Sequence, residues 1–254
     1  MLGTVQKKRL FSIERIWFTN HASSKCDIIR YNRADNPLPS TLFTRNEKNE
    51  TVISDLTKSI DELVSKCTKT IKYEIKKCLD EDVDIAFYDS TAISVDSQVF
   101  KDFKAAYLEL AEGANNKDLL KAFSPEKIDN FIKNDCLLLT YAKRDNSHVY
   151  HVYVFDDRNC VLLYSASNFR TDDKNARNLT GRMNKLLHFK DMEYFKSLGV
   201  ESYDWGNISS STNPNGIDQF KMSFGGEIKD VYNIFVGNTL KGKLMVFFIK
   251  LLHL

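Results

Sequence analysis

Residues 136–167 read CLLLTYAKRDNSHVYHVYVFDDRNCVLLYSAS. Apolar and β-branched residues dominate this stretch, and two short polar segments, 144–147 and 156–159, interrupt it. Strand-like segments separated by tight polar turns are typical of an antiparallel meander. We therefore predict three consecutive strands, at residues 136–142, 149–155 and 160–167.

The chain after this meander alternates between helical and strand patterns. Its apolar residues between 176 and 198 can line one face of a long helix, which Gly199 ends. The later elements are predicted as a strand at 200–204, a helix at 217–224 and strands at 228–236 and 244–251. A meander that feeds a crossover helix into a neighbouring strand makes a mixed sheet. The predicted fold class is α/β, with a mixed, mostly antiparallel sheet flanked by helices and an edge that opens to a ligand.

For the residues before the meander, the sequence predicts three strands and three helices. Residues 11–18 and 24–31 favour two strands of a hairpin-like unit, which the turn-rich residues 32–40 close. Ser59 and Glu62 form a capping box at the start of the first helix. The remaining predicted elements are helices at 59–79, 100–113 and 124–132 and a strand at 85–88.

Composition restricts the class of protein. The chain has 254 residues and carries 36 Lys and Arg against 34 Asp and Glu, a net charge of +2 that does not favour a protein coating DNA. Five dispersed cysteines form no zinc pattern and are typical of reduced thiols, so we expect a cytoplasmic protein without a bound metal. We predict no signal peptide and no transmembrane segment, because the most apolar stretch, residues 244–254, is far shorter than the ~20 residues that span a bilayer. We expect that stretch to be a buried strand.

The ordered elements and the residues on them resemble a known family. The matching stretches are residues 69–78, 163–167, 181–189, 199–206 and 216–226. Together they resemble the acyltransferase fold of Gcn5-related N-acetyltransferases (the GNAT fold) and, within it, the Fem-type branch of nonribosomal peptidyl transferases. The resemblance implies acyl transfer to an amine, with either acyl-coenzyme A or aminoacyl-tRNA as the donor.

The chain is shorter than Fem-type enzymes, which usually carry two copies of the fold. We therefore predict a reduced N-terminal lobe with a basic amphipathic helix at 1–95 and a GNAT-like acyltransferase domain at 96–254. Shorter members that the chain resembles acylate the amino group of nucleotide-linked sugars for surface polysaccharides.

Our main functional prediction is therefore an acyl-coenzyme A dependent N-acyltransferase. It would move an acetyl or hydroxyacyl group, such as 3-hydroxybutyryl, to a nucleotide-linked amino sugar such as a dTDP-3-amino-3,6-dideoxyhexose. Acyl-coenzyme A serves as a co-substrate and no prosthetic group is expected; the oligomeric state stays open, with a homodimer as one option. The alternatives are an aminoacyl-tRNA dependent peptidyl transferase of the Fem type and a non-catalytic binding or scaffold module.

The donor site is predicted where the third meander strand ends and the long helix begins. A strand edge can pair with the pantetheine amides, and a helix N-terminus with arginines can hold a pyrophosphate. On composition alone the arginines would lie on a solvated face. The predicted donor-binding residues are Ser165, Ala166, Ser167, Arg170, Arg177, Gly181 and Arg182.

Two residues are predicted to act in catalysis. Asp204, at the end of the predicted strand 200–204, ranks first because it could hold the acceptor ammonium and take its proton. His188 ranks second because its ordinary pKa lies near neutral pH, although a histidine between apolar neighbours is often a packing residue. His151, within a predicted strand, ranks behind both. The structural alternative for Asp204 is a turn or helix cap.

The acceptor site is predicted from charged and aromatic residues. Lys72 and Lys76 belong to a basic stripe on the first helix, which could meet a sugar nucleotide or tRNA and which on composition alone is a solvated face. The other predicted acceptor-binding residues are Tyr203, Trp205, Asn207 and Lys221.

Overall fold

The computed structural model describes residues 2–7, 10–21, 24–113, 117–169 and 173–251. Within these ranges the strands are β1 (Leu2–Lys7), β2 (Ser12–Trp17), β3 (Ile28–Ala34), β4 (Thr44–Asp55), β5 (Asp84–Asp89), β6 (Leu137–Arg144), β7 (Ser147–Phe155), β8 (Asn159–Ser167), β9 (Ser202–Ile208) and β10 (Glu227–Gly237). The helices are α1 (Ile60–Lys66), α2 (Lys69–Leu79), α3 (Gln98–Gly113), α4 (Lys117–Ala122), α5 (Pro125–Lys133), α6 (Lys174–Ser197), α7 (Gly216–Met222) and α8 (Leu240–Leu251).

The chain divides into two compact units. The first comprises Met1–Val52, Asn207–Asp218 and Ile228–Leu254, and the second comprises Ile53–Gly206 and Gln219–Glu227. The division of the chain at residue 95 into a lobe and a catalytic domain stays a prediction.

The second unit contains the predicted meander. Its strand order is β9-β8-β7-β6-β5, in which β5 to β8 pair antiparallel and β8 pairs parallel with β9. The 24-residue helix α6 connects the two parallel strands. The α/β fold class with a mixed, mostly antiparallel sheet flanked by helices is thereby confirmed.

Strands β8 and β9 pair only over their first residues. The parallel register runs from Asn159 opposite Ser202 to Val161 opposite Asp204. Just beyond it, the β7–β8 register shifts and leaves Leu163 as an extra residue on β8. A bulge of this kind bends a strand and increases its twist. We call the place where the register ends, at Val161 and Asp204, the strand junction.

The predicted helix over residues 59–79 is interrupted in the structure. The capping box of Ser59 and Glu62 starts α1 as expected, but α1 ends at Lys66. Thr68 then starts α2 as an N-cap, and its own backbone N–H donates to Ser223 O at 2.9 Å. The single-helix prediction was wrong because a hydrogen bond distant in sequence replaces an intrahelical one at this position.

Other local signals agree with the structure. Ser124 caps α5 with Pro125 in its first turn. Gly199 follows α6 with a φ of 83°, the left-handed conformation that glycine adopts readily at helix ends. Helix α4 and the 12-residue strand β4 were not predicted.

The first unit has the strand order β1-β2-β3-β10-β4. The predicted hairpin-like pairing of its second and third strands was wrong, since β2 and β3 are parallel, with Ile13 opposite Ile28. Instead β2 forms its antiparallel pair with β1. A turn-rich composition indicates that the chain reverses but does not fix which strands become neighbours. A small core packs Ile16, Ile29, Tyr31, Ala34 and Ile234 together.

The described part of the C-terminal apolar stretch, residues 244–251, belongs to a helix. Thr239 caps α8 by accepting a hydrogen bond from Gly242 N at 3.2 Å, and Gly242 and Val246 are its buried residues. The prediction of a buried strand here was wrong because apolar residues on nearly every position hide the helical period. Among the helices of the described ranges, none is long and apolar enough to cross a membrane.

Candidate functional site

A buried cluster of polar side chains lies between the sheet and α6 of the second unit. His151 and Tyr153 are two apart on β7 and so point to the same face of the sheet. On α6, spacings of four and three residues place Asn184, His188 and Asp191 on one helix face. Tyr203 of β9 completes what we call the polar network, whose members are His151, Tyr153, Asn184, His188, Asp191 and Tyr203.

Short hydrogen bonds connect these groups in a continuous chain. His188 Nδ1 lies 2.8 Å from the hydroxyl of Tyr203, and the hydroxyls of Tyr203 and Tyr153 are 2.6 Å apart. Tyr153 donates to Asp191 Oδ2 at 2.6 Å. His151 contacts the same carboxylate oxygen through Nδ1 at 2.7 Å, and its Nε2 lies 2.8 Å from Asn184 Oδ1.

This chain of contacts determines the positions of the hydrogens. Asp191 as a carboxylate only accepts, so Tyr153 gives it its single hydroxyl hydrogen. Tyr203 must then donate to Tyr153, and the remaining contact needs a donor from His188. The hydrogen of His188 is therefore assigned to Nδ1, and the lone pair is on Nε2.

Burial sets the charge states of this network. Burial, with the negative charge of Asp191 as the next cause, raises the pKa of both Tyr153 and Tyr203 well above the usual value. Burial, followed by the neighbouring His151 and Lys221, holds the pKa of His188 well below its usual value. His188 is therefore a neutral imidazole at physiological pH.

The network does not have the form of a metal site. His151, His188 and Asp191 are buried and bring potential ligand atoms within 4.8 Å of one another. The hydroxyl of Tyr153 occupies the space among them, at 2.6 Å from Asp191 Oδ2, 3.2 Å from His151 Nδ1 and 3.5 Å from His188 Nδ1. The hydroxyl of Tyr153 thus takes the place that an ion shared by the three groups would need, while Asp191 Oδ1 has no hydrogen-bond partner among the described residues.

His188 lies among aromatic rings. Its ring stacks on His151 at 3.9 Å between centroids, and Trp205 and Phe220 lie at 4.6 and 5.7 Å. The contacts of the ring with the hydroxyls of Tyr203 and Tyr153 are both made through Nδ1. The residue is 2% exposed. The arrangement thus provides a neutral and oriented imidazole, which is the protonation state that a proton acceptor starts from.

Asp204 lies at the strand junction and is buried. It is the last residue of β9 that pairs with β8, although β9 itself continues to Ile208 rather than ending at Asp204 as predicted. Its Oδ1 accepts the backbone N–H of Gly206 at 2.8 Å. Gly206 has a φ of 77°, and the Nζ atom of Lys221 lies 3.6 Å from the position that a Cβ atom would take there. The structure therefore brings Asp204 and Lys221 to the strand junction, and a catalytic role for Asp204 stays a prediction.

The other predicted acceptor-binding residues are Tyr203, Trp205 and Asn207, and the rings of the first two lie 5.0 Å apart. Tyr203 belongs to the polar network, and Trp205 is fully buried, with Nε1 donating to Ser54 Oγ at 2.9 Å. Asn207 lies in the first unit and donates from Nδ2 to Asn49 Oδ1 at 3.1 Å. Their role toward a substrate stays a prediction.

The two lysines of the predicted basic stripe differ. Lys72 is half-buried and donates to Ser65 O at 2.7 Å, so its ammonium bridges the two short helices. Lys76 is exposed on α2.

The predicted strand part of the donor site lies at the end of β8. Ser165, Ala166 and Ser167 pair with β7, and the parallel register with β9 has already ended at Val161. Arg170 lies outside the described residues. Gly181 is half-buried on α6, and a Cβ there would lie 3.3 Å from the ring of Phe169.

The N-terminal end of α6 carries carboxylates beside its arginines. Asp173 caps the helix and accepts from Asn175 N at 2.8 Å and Ala176 N at 3.3 Å. Arg182 forms a two-point ion pair with Glu81, at 2.5 Å for the shorter contact, and both side chains are less than 20% exposed. Arg177 is exposed. The helix N–H groups and one predicted arginine are thus already occupied by the chain's own carboxylates.

A cavity lies at this end of α6. Its volume is 370 Å³, and Asp145, Asp173 and Glu81 contribute three carboxylates against the guanidinium groups of Arg144 and Arg182. This lining does not favour a dianionic ligand.

The sequence pointed to His188, Tyr203 and His151 but did not identify the other network members, Tyr153, Asn184 and Asp191, as functional residues. A signal for them was present. Asn184, His188 and Asp191 lie among the apolar residues Leu187 and Met192 that form the buried face of α6. Polar residues on a buried helix face are hydrogen-bonded in nearly all proteins, so they indicate partners on a neighbouring element.

Several solved structures have a similar fold, among them FemX and a domain of a lysylphosphatidylglycerol synthetase. FemX matches with a TM-score of 0.61 at 11% sequence identity, over 90% of this chain and 82% of that chain. The C-terminal domain (DUF2156) of a candidate lysylphosphatidylglycerol synthetase from Agrobacterium fabrum matches with a TM-score of 0.59 at 11% identity, over 98% of this chain and 85% of that one. No protein-family model and no curated protein sequence matches. The structural matches show that this chain has the same fold as FemX and as that synthetase domain.

Proposed function

We propose that this protein is an acyltransferase that takes an aminoacyl group from the ester of an aminoacyl-tRNA and transfers it to an amine. This is the second of the two donor classes that the sequence resemblance implies. As the preferred donor, aminoacyl-tRNA replaces acyl-coenzyme A. As the preferred acceptor, an amine replaces a nucleotide-linked amino sugar.

The contacts at the N-terminal end of α6 are the observation that favours an aminoacyl-tRNA over an acyl-coenzyme A as the donor. An acyl-coenzyme A needs an anion site for its pyrophosphate, and helix N–H groups with arginines are the usual means to provide one. Here Asp173 accepts from those N–H groups, and Glu81 pairs with Arg182. Both carboxylates would repel a pyrophosphate at the same place. A donor without a pyrophosphate avoids this conflict.

The fold and the exposed lysines support a tRNA donor. FemX has the same fold over 90% of this chain. The surface of α1 and α2 exposes Lys66, Lys69, Lys76 and Lys77. Lysines that contact phosphates position a nucleic acid without reading its sequence, which suits a donor recognised through its backbone.

The chemistry requires one proton acceptor and one place for developing charge. The amine attacks the ester carbonyl, a C–N bond forms, the C–O bond breaks, and the 3′-terminal hydroxyl of the tRNA leaves with the proton that the amine gives up. Asp204 at the strand junction and the neutral His188 are our candidate acceptors for that proton. Lys221 is our candidate for the charge that develops on the carbonyl oxygen.

A comparison of donors tests this proposal. The purified protein is incubated with tRNA charged with radiolabelled amino acids and a panel of small amines, and in parallel with acyl-coenzyme A donors and nucleotide-linked amino sugars. We expect label on the amines and no release of free thiol. Thiol release in the second reaction would overturn the tRNA donor and restore acyl-coenzyme A, while inactivity in both reactions would favour a scaffold module.

A further inference from the structure

Helix α8 of the first unit exposes a row of large apolar side chains. The exposed fractions are 78% for Leu240, 51% for Leu244, 54% for Phe248 and 61% for Leu251. At about 100° per residue these four positions lie within a sector of about 80°. We call them the apolar stripe of α8.

The opposite side of α8 is fixed against the rest of the unit. Gly242 and Val246 are buried, and a Cβ atom on Gly242 would lie only 1.7 Å from Asp27 O. The backbone of α8 therefore packs directly on Asp27, and the helix cannot rotate to bury its stripe. A helix that is apolar on both sides requires a cover on its outer side.

Lysines border the stripe on both edges. The same helical projection places Lys241 at one edge and Lys243 and Lys250 at the other. Lys250 donates to Thr41 O at 2.9 Å, and the next residue, Leu42, is 63% exposed. An apolar centre with lysines on both sides is typical of helices that lie in the interface of a membrane, where the lysine stems cover apolar surface and the ammonium groups reach the headgroups.

The charges of α8 decide between a lipid surface and a second copy of the chain. Helix α8 contains three lysines and no carboxylate. A twofold contact between two copies of this stripe would place lysines near lysines without an acidic partner on either helix. An anionic surface supplies the missing charge.

We propose that α8 docks the protein on the surface of an anionic lipid bilayer, with the apolar stripe inserted to the level of the headgroups. The helix lies in the plane of the interface and does not cross the membrane. The inference is independent of the donor that the enzyme uses.

Sedimentation with lipid vesicles tests this docking. The full chain is mixed with vesicles of phosphatidylglycerol and phosphatidylcholine in equal parts, and with vesicles of phosphatidylcholine alone. We expect binding to the anionic vesicles that weakens as salt is raised. The double variant Leu244→Glu/Phe248→Glu should bind at least about tenfold more weakly, and Lys241→Glu about fivefold more weakly.

Leu79→Glu is the matched control, since Leu79 on α2 is 53% exposed, close to the 51% of Leu244. It should bind like the wild type, and all variants should keep the wild-type melting temperature because the changed side chains are exposed. Equal binding by the double variant and the wild type would overturn the proposal. The absence of vesicle binding by the wild type would also overturn it. If that wild type formed a dimer that Leu244→Glu converts to a monomer, the apolar stripe would be a contact between two copies of the chain.

Discussion

The two ends of α6 use similar residues in opposite ways. At its N-terminal end, Asp173 and Arg182 are near solvent and satisfied by the helix itself and by one ion pair with Glu81. Further along, His188 and Asp191 are buried and belong to a network in which the hydrogen on Nδ1 is determined by its partners. A helix end rich in arginines resembles an anion site in the sequence, yet Arg182 is paired with Glu81, and Asp173 accepts from the helix N–H groups. The groups whose hydrogen positions are determined by their partners, His188 and Asp191, are those of the buried polar network.

Removing the carboxylate of the polar network should have the largest effect. In Asp191→Ala, the donors of His151 and Tyr153 lose their acceptor in a fully buried place. We expect the free energy of unfolding to fall by about 3–5 kcal/mol, as for other broken buried pairs. Urea denaturation measures this loss. A loss below about 1 kcal/mol would show that water reaches the polar network. The N-terminal end of α6 and the polar network would then not differ in the way described above.

Asp204→Asn should lower kcat of the aminoacyl transfer by about 10²-fold, the range for the loss of a positioned proton acceptor. The amide oxygen can still accept from Gly206 N, so the melting temperature should stay near that of the wild type. His188→Asn should reduce kcat less. Kinetics and melting curves on both variants give the answer, and wild-type turnover in Asp204→Asn would leave Asp204 as a turn cap only.

The ion pair at the N-terminal end of α6 should contribute less than the network. Glu81→Ala leaves the partly buried Arg182 without its carboxylate, for which we expect a loss of about 1–2 kcal/mol, between the values for exposed and buried pairs. The same urea experiment applies. A loss as large as that of Asp191→Ala would mean that both ends are organised alike.

The smallest expected effect is the change of the free energy of unfolding with pH that His188 causes. The pKa of His188 is lowered in the folded state by burial and by His151, so the unfolded chain takes up a proton near pH 6.5 that the folded one does not. Stability is therefore complete above about pH 6.5 and falls as the pH is lowered, by up to about 1 kcal/mol between about pH 7.5 and 6.

His188→Asn should lose this part of the pH dependence while keeping every other histidine, including His148, whose pKa burial also lowers. Denaturation of both proteins at the two pH values measures the difference. Parallel curves would show that His188 is protonated in the folded state.

Local sequence signals predicted most of the second unit and less of the first. The meander, α6 and the caps at Ser59 and Ser124 follow from residues within a few positions of each other. Strand β4, with the sequence TRNEKNETVISD, is too polar to show an alternating pattern. Helix α8 is apolar on both sides and shows no period.

The polar network was only partly predictable because its contacts are distant in sequence. His151 and Asp191 are 40 residues apart, and Tyr153 and Tyr203 are 50 apart. Single residues such as His188 can be recognised as titratable, but only the sheet register and the helix position bring their partners together. The pairing of Arg182 with Glu81, 101 residues away, is hidden for the same reason.

Binding of the two donor classes tests the central claim most directly. Calorimetric titration of the wild-type protein with coenzyme A and, separately, with aminoacyl-tRNA compares the anion site expected at α6 with the lysine surface of α1 and α2. We expect no binding of coenzyme A up to about 1 mM, and tRNA binding in the micromolar range that weakens steeply with salt. A dissociation constant for coenzyme A of about 100 μM or lower, with no affinity for tRNA, would contradict it.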